Sequence, residues 1–210
     1  LIEHIAKFDK PMIISTGMNN INSINKTVNI VKENSISYAL LHTTNLYPTP
    51  SRLVRLGAMQ ELQYKFPNTI IWLSEHTASN LACFAAIALG ASIVERHFTD
   101  SMDRSGPDII NSMDPLALRE LIEGSIEISK MRGGRKEPAE EEQVTMDFAF
   151  ATVVTISNIK KGEMFTKENI WVKRPGTGEV KASSYNDILG KIAKRDIEID
   201  NHLLLADLNG

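Results

Sequence analysis

Two short strings carry histidine beside polar partners: Leu73-Ser74-Glu75-His76-Thr77 and Glu95-Arg96-His97-Phe98-Thr99. Each closes a β-rich run, and side chains alternate faces along a strand, so Ser74 shares a face with His76, and Glu95 shares one with His97. Neighbouring strands lie about 4.8 Å apart. Two imidazoles at adjacent strand ends could therefore both reach one divalent ion at about 2.1 Å. A histidine in that place also serves as a hydrogen-bonded core or surface group, and spacing alone leaves both readings open. A third string, His42-Thr43-Thr44-Asn45-Leu46-Tyr47-Pro48, puts Thr43, Asn45 and Tyr47 on one face as hydrogen-bonding groups for a polyol or a carboxylate, or as an ordinary polar loop. Ser15-Thr16-Gly17 offers hydroxyls and a glycine backbone to a phosphate, and Asp103 to Asp108 is a turn-rich, charged stretch.

The elements that must hold these groups alternate. β-rich runs at Met12 to Ser15, Tyr38 to Thr43, Thr69 to Ser74 and Ser92 to Phe98 are each followed by helical periodicity, four βα units in all. Thr49 before Pro50 and Asp114 before Pro115 read as helix starts, and Gly133 as a stop. Such alternation predicts a parallel sheet, whose active groups gather at the C-terminal strand ends. Four strands with short crossovers leave two open edges, so the expectation is that the sheet continues upstream of Leu1. Leu1 to Phe8 reads as the end of a helix. Arg135 to Gln143 is charged and poor in apolar residues, as an exposed linker is. The expected division is residues 1–134, a linker over 135–146, and a small, mostly β module over 147–210, with runs at Ala149 to Thr155, Ile170 to Val172 and Ile197 to Ile199.

Composition narrows the function classes. Among 210 residues, Lys and Arg total 23 against 26 Asp and Glu, a net charge of -3 with no basic tail, so a nucleic-acid partner is not expected. No apolar run reaches the roughly 20 residues a membrane helix needs, and the chain start lacks a signal-peptide layout, which points to a cytoplasmic protein with no membrane partner. The single cysteine, Cys83, sits inside an apolar run and reads as a small core hydrophobe.

Taken together, ISTGM (Ile14 to Met18), TNLYPTP (Thr44 to Pro50), LVRLGAM (Leu53 to Met59), SEHT (Ser74 to Thr77), ERHFTDSMDRSGPD (Glu95 to Asp108), DFAFATVV (Asp147 to Val154) and WVKRPGTG (Trp171 to Gly178) resemble the sialic acid synthase family, in its bacterial N-acetylneuraminate synthase branch. The resemblance implies an α/β fold: the second half of a (β/α)8 TIM-type barrel followed by an antifreeze-like (SAF) domain. It implies condensation of phosphoenolpyruvate with N-acetylmannosamine, with a related nonulosonic acid such as legionaminate as the alternative product and a catalytically silent binding remnant as another reading. It also implies roles. His76 and His97 would bind Mn2+ or Mg2+; Ser15, Asn45 and Ser74 would contact phosphoenolpyruvate; Tyr47, Glu95 and Asp108 would lie at the sugar, with Glu95 or Asp108 either assisting proton transfer or simply anchoring hydroxyls. Phe148 and Arg174 would complete the sugar pocket, the arginine from a partner subunit in a domain-swapped homodimer. Two positions depart from the family: Glu75 stands where Asp is usual, and Trp72 where Gly is usual.

Overall fold

The computed structural model describes residues 1–208, in two compact units, Leu1–Gly134 and Arg135–Gly210. The last two residues of the expected module, Asn209 and Gly210, lie outside the described residues.

The first unit runs α1 (Ile2–Ala6), β1 (Met12–Ser15), α2 (Ile21–Glu33), β2 (Tyr38–Thr43), α3 (Leu56–Lys65), β3 (Ile70–Glu75), α4 (Leu81–Ala88), β4 (Val94–Phe98), β5 (Ser112–Met113) and α5 (Pro115–Met131). All neighbouring strands pair in parallel, in the order β1-β2-β3-β4-β5. Four strands were expected and five are present. The fifth is two residues long, too short to show a period, and exists because the chain after Asn111 runs beside His97 and Phe98. Helix starts follow their caps: Asn20 accepts from Ser23 N at 3.0 Å, and Asp114 accepts from Ala117 N at 2.8 Å ahead of Pro115. Thr49-Pro50 instead leads into a short 3-10 turn (Ser51–Leu53), and α3 begins only at Leu56 after Arg55 takes the left-handed conformation.

The apolar side of the sheet packs on the helices. Leu40 of β2 with Ile71 and Leu73 of β3 meet Ile24 and Val28 of α2, Met59 and Leu62 of α3, Cys83 and Ala86 of α4 and Leu121 of α5. Cys83 is fully buried and its thiol pKa is pushed up to about 12, mainly by that burial, so it packs as a hydrophobe. The register sorts the other face into rows. Ile13, Ala39 and Ile70 form one, Ser15, Leu41 and Trp72 the next, and Thr43, Ser74 and Glu95 the last, at the strand ends. Ile13 and Ile70 are 60% and 53% exposed, and Trp72 is half-buried beside Leu41.

The second unit carries α6 (Gln143–Ala149), β6 (Thr152–Thr155), β7 (Ile170–Lys173) and α7 (Tyr185–Ile188). β6 and β7 pair antiparallel, and isolated bridges such as Ile159 to Ile197 and Ala193 to Leu208 complete the framework. The expected strand from Ala149 begins three residues later, because α6 crosses the boundary drawn from sequence. Gln143 Nε2 donates to Asp147 Oδ1 at 2.7 Å, Glu142 receives Ala139 N at 2.7 Å, and three glutamates precede the helix N-terminus, where negative charge is favourable. Val153, Phe165, Ile170, Ile188, Ile197 and Leu203 form this unit's own core.

Candidate active site

The rows at the strand ends place the chemistry. Thr43, Ser74 and Glu95 are register partners across β2, β3 and β4, and one step further along lie His76 and His97. Their ring centroids are 5.3 Å apart at 89°, and the Tyr47 ring stands 4.2 Å from His76 and 5.8 Å from His97. Asp108 Oδ2 lies 3.8 Å from His97 Nδ1. Residues from three loops and one strand thus converge on one spot.

Each side chain has a local reason for its position. His76 Nδ1 is 3.0 Å from Thr44 O, and its own carbonyl accepts Thr49 N at 2.8 Å, so the ring is tied to the loop that carries Asn45 and Tyr47. That loop is itself folded back: Thr49 Oγ1 donates to Leu46 O at 2.8 Å and Thr44 Oγ1 to Leu53 O at 2.7 Å. Asp108 has a positive φ of 63°, and its carbonyl accepts Ser112 Oγ at 2.7 Å, which fixes the residue against the start of β5. Gly17 lies against Asn45; a Cβ there would collide with Asn45 Oδ1 and come within 2.7 Å of Thr43 Cγ2, so only glycine permits this approach. Thr43 Oγ1 and Asn45 Oδ1 are buried with no hydrogen-bond partner in the protein, an unmet demand of the kind a polar ligand satisfies.

The other expected residues distribute around this spot. Ser74 is buried in the last row, Glu95 is exposed beside it, and Ser15 is exposed at the end of β1, in the row below. His97, Thr99, Arg104, Asp108 and Ser112 line an open pocket of about 470 Å³. Phe148 and Arg174 belong to the second unit. There Gly176 N donates to Asp147 O at 2.7 Å, which brings the turn after β7 against the last turn of α6, and both side chains are exposed.

Among the described residues no group of three or more His, Cys, Asp or Glu side chains converges on one point. The donors that could share an ion would be the two imidazoles. Nitrogens about 2.1 Å from a shared ion require ring centroids within about 6.5 Å, and 5.3 Å satisfies that. That spacing is compatible with one divalent ion, whose remaining positions would fall to substrate or water oxygens.

What sequence spacing did not reveal lies behind the histidines. Glu75 and Arg96, register partners on β3 and β4, form an ion pair with Nε to Oε2 at 3.2 Å, each side chain 1% exposed. Alternation along each strand turns them away from the histidines, but only the register sets them opposite one another.

Residues 1–137 match the NeuB family and residues 150–209 the SAF domain. The chain is 37% identical over 203 residues to the N,N'-diacetyllegionaminic acid synthase of Campylobacter jejuni, covering 95% of this chain and 60% of that protein. The solved N-acetylneuraminic acid (sialic acid) synthetase of Leptospira borgpetersenii is 30% identical with a TM-score of 0.64, over 69% of this chain and 51% of its own. A spore coat polysaccharide biosynthesis protein E from Chromobacterium violaceum superposes over 100% of this chain and 64% of its own with a TM-score of 0.76, and at 24% identity it speaks for the fold alone. The chain spans about 60% of the length of the curated relatives it matches.

Proposed function

The chain belongs to the NeuB family and carries a SAF domain, and from that premise we propose that it is the catalytic part of a nonulosonic acid synthase, which joins phosphoenolpyruvate to an N-acetylated amino-sugar aldehyde. The observation that carries the reading is the convergence of His76, His97, Tyr47 and Asp108 at the ends of parallel strands. In this reading the five-stranded sheet is part of a (β/α)8 barrel, and residues 1–134, 135–146 and 147–210 are barrel, linker and SAF domain.

The reaction forms a bond between the phosphoenolpyruvate methylene carbon and the aldehyde carbon, whose oxygen takes up a proton. Water then adds at the former enol carbon and inorganic phosphate leaves. His76 and His97 would hold Mn2+ or Mg2+, which when bound polarises the aldehyde as a Lewis acid. Ser15, Asn45 and Ser74, with the unpaired Thr43 hydroxyl, anchor phosphoenolpyruvate and so lower the entropic part of the barrier. Tyr47 and Glu95 hold sugar hydroxyls. Asp108, whose Oδ2 lies 3.8 Å from His97 Nδ1, would move the proton at the aldehyde oxygen. Phe148 and Arg174 complete the sugar pocket from the second unit, the arginine reaching a partner's barrel in a homodimer.

On the sugar, N-acetylmannosamine is the substrate that the sequence resemblance implies, with legionaminate synthesis as its alternative. The similarity to a N,N'-diacetyllegionaminic acid synthase favours that alternative. Because phosphoenolpyruvate adds carbons and no nitrogen, a di-N-acetylated product requires a sugar that already bears both acetamido groups. Phosphate release by the full-length enzyme with each sugar, plus Mn2+, decides. Turnover with either sugar that disappears in His76→Ala and in His97→Ala supports the reading; both variants active after chelation and readdition of metal would overturn it. Mixing Arg174→Ala with His97→Ala subunits should restore one site per dimer, and no recovered activity would count against the swapped arrangement.

A further inference from the structure

Behind the two imidazoles, on the face of the sheet that meets the helices, lies a buried polar cluster for which the mechanism above has no use. Glu75 precedes His76 and Arg96 precedes His97. Each therefore shares a peptide bond with a site residue while its side chain points the opposite way.

The cluster's contacts end on the segments that carry the site. Glu75 Oε1 accepts Thr77 N at 2.5 Å and Arg96 Nη2 donates to Thr77 O at 2.8 Å, so both peptide groups of the residue after His76 are held. Arg96 Nη1 donates to Asn80 Oδ1 at 2.6 Å, at the start of α4, and Nη2 reaches Asn111 O at 3.4 Å, in the turn that Asp108 opens. Asn80 Nδ2 in turn donates to Ala117 O at 2.8 Å and Glu120 Oε2 at 2.7 Å in α5. One guanidinium thus links the chain beside His76, His97 and Asp108.

Stability alone does not account for such a group. Two charges taken from water lose hydration that their attraction only partly returns, and an apolar pair of like volume is often as stable or more so. The Glu75–Arg96 contact is also undirected: Oε2 and Nε face each other at 3.2 Å without hydrogen-bond geometry. What the pair supplies is a set of directional bonds to the loops on either side.

We infer that Glu75, Arg96 and Asn80 are positioning residues that set the separation of the His76 and His97 rings, an inference that rests on the two-histidine reading above. The pair acts from behind the strands, touches no substrate, and keeps both imidazoles at the spacing one divalent ion requires. Outer groups that orient metal-binding histidines typically matter by about 10- to 100-fold in metal affinity.

The test uses the full-length enzyme with both charges removed together, Glu75→Leu/Arg96→Met, and three readouts: the thermal midpoint, the Mn2+ dissociation constant by electron paramagnetic resonance, and the nuclear Overhauser effect between the two imidazoles in metal-free protein. The expected result is a folded protein whose inter-ring effect is lost and whose Mn2+ affinity falls about 10- to 100-fold. kcat should fall while KM for phosphoenolpyruvate stays, and Glu75→Asp, which keeps the charge, should retain affinity. A folded double variant with the inter-ring effect and the affinity of wild type overturns the inference. If the double variant does not fold, Asn80→Ala leaves the pair and removes the acceptor of Arg96 Nη1 together with both bonds from Asn80 to α5; the lost hold on the guanidinium should weaken Mn2+ binding by about three- to tenfold, and an unchanged affinity there also overturns it. Wild-type protein that binds no Mn2+ refutes the metal reading instead, and the inter-ring effect still decides the positioning.

Discussion

Each unit has an ion pair with a buried carboxylate, and the two are built differently. In Glu75–Arg96 both side chains are 1% exposed, whereas in Arg195–Asp207 the carboxylate is 1% exposed and the guanidinium 55%. Asp207 is fully employed by local folding. Its Oδ1 takes Arg195 Nε at 2.6 Å, and its Oδ2 takes Arg195 Nη2 at 3.2 Å and Leu204 N at 3.0 Å, closing the short turn Leu205–Asp207. That carboxylate raises the Arg195 pKa through its hydrogen bond, and water still solvates the cation. Glu75 and Arg96 have no such solvent, and their bonds run to loops around a candidate site. A half-exposed pair closes a turn; a fully buried one must be matched at both ends and fixes its neighbours in return.

The comparison is sharpest when one partner is removed. Arg96→Met strands a buried carboxylate and should destabilise the first unit by about 3 to 5 kcal/mol, most of it regained in Glu75→Leu/Arg96→Met. Asp207→Ala leaves Leu204 N without its acceptor and should cost about 1 to 3 kcal/mol, while Arg195→Met, at a solvated group, should cost less than either. Denaturant midpoints for the four proteins test the order. An Arg96→Met loss no larger than that of Arg195→Met would break the distinction.

Chemistry at the strand ends was legible because a period of two says which residues share a face, and a parallel sheet says which end matters. His76 and His97 come together for that reason. The same rule turns Glu75 and Arg96 away from the histidines, but their pairing depends on the stagger between β3 and β4, which no local pattern encodes. β5 escaped notice because two residues carry no periodicity. In the second unit a core is held by single bridges between loops, so period-based reading found parts of β6 and β7, and Ile197 proved to be one bridge rather than a strand. Ala149 was assigned to a strand from its apolar neighbours, whereas the acidic residues and the Gln143–Asp147 bond upstream carry α6 through it.

A smaller effect should come from His42, also on the helix side of the sheet. Its pKa is lowered, first by burial, with the Val54 carbonyl at 2.7 Å opposing and Arg55 reinforcing the shift. A depressed folded pKa means that the unfolded chain binds the proton first. The stability it contributes is therefore present above about pH 6.5 and lost as pH falls through the folded value. Denaturant midpoints of wild type should decline on acidification below about pH 6.5. In His42→Gln that component of the slope should be gone; an identical slope in both would assign it to other groups.

The weakest effect belongs to Lys160–Asp196, the second unit's exposed pair, with side chains 72% and 61% exposed and Nζ to Oδ2 at 2.9 Å. The Asp196 pKa is lowered, first by the lysine's hydrogen bond and then by Lys161 N, which donates to Oδ1 at 2.8 Å. A carboxylate with a depressed folded pKa stabilises above its unfolded value, about 3.9, and loses that contribution as pH falls through the folded one. At neutral pH the contribution is thus present, yet both ions keep most of their hydration and salt screens what attraction remains. Lys160→Met should therefore shift the denaturant midpoint only slightly at low salt and not at all near 1 M salt, where the screening length is about 3 Å. Asp196→Ala should shift it more, because Lys161 N then loses a protein acceptor that salt does not replace. A Lys160→Met difference that persists at high salt would mean that this pair, despite its exposure, behaves like the buried one beneath His76 and His97, and exposure would then be the wrong variable by which to rank the three.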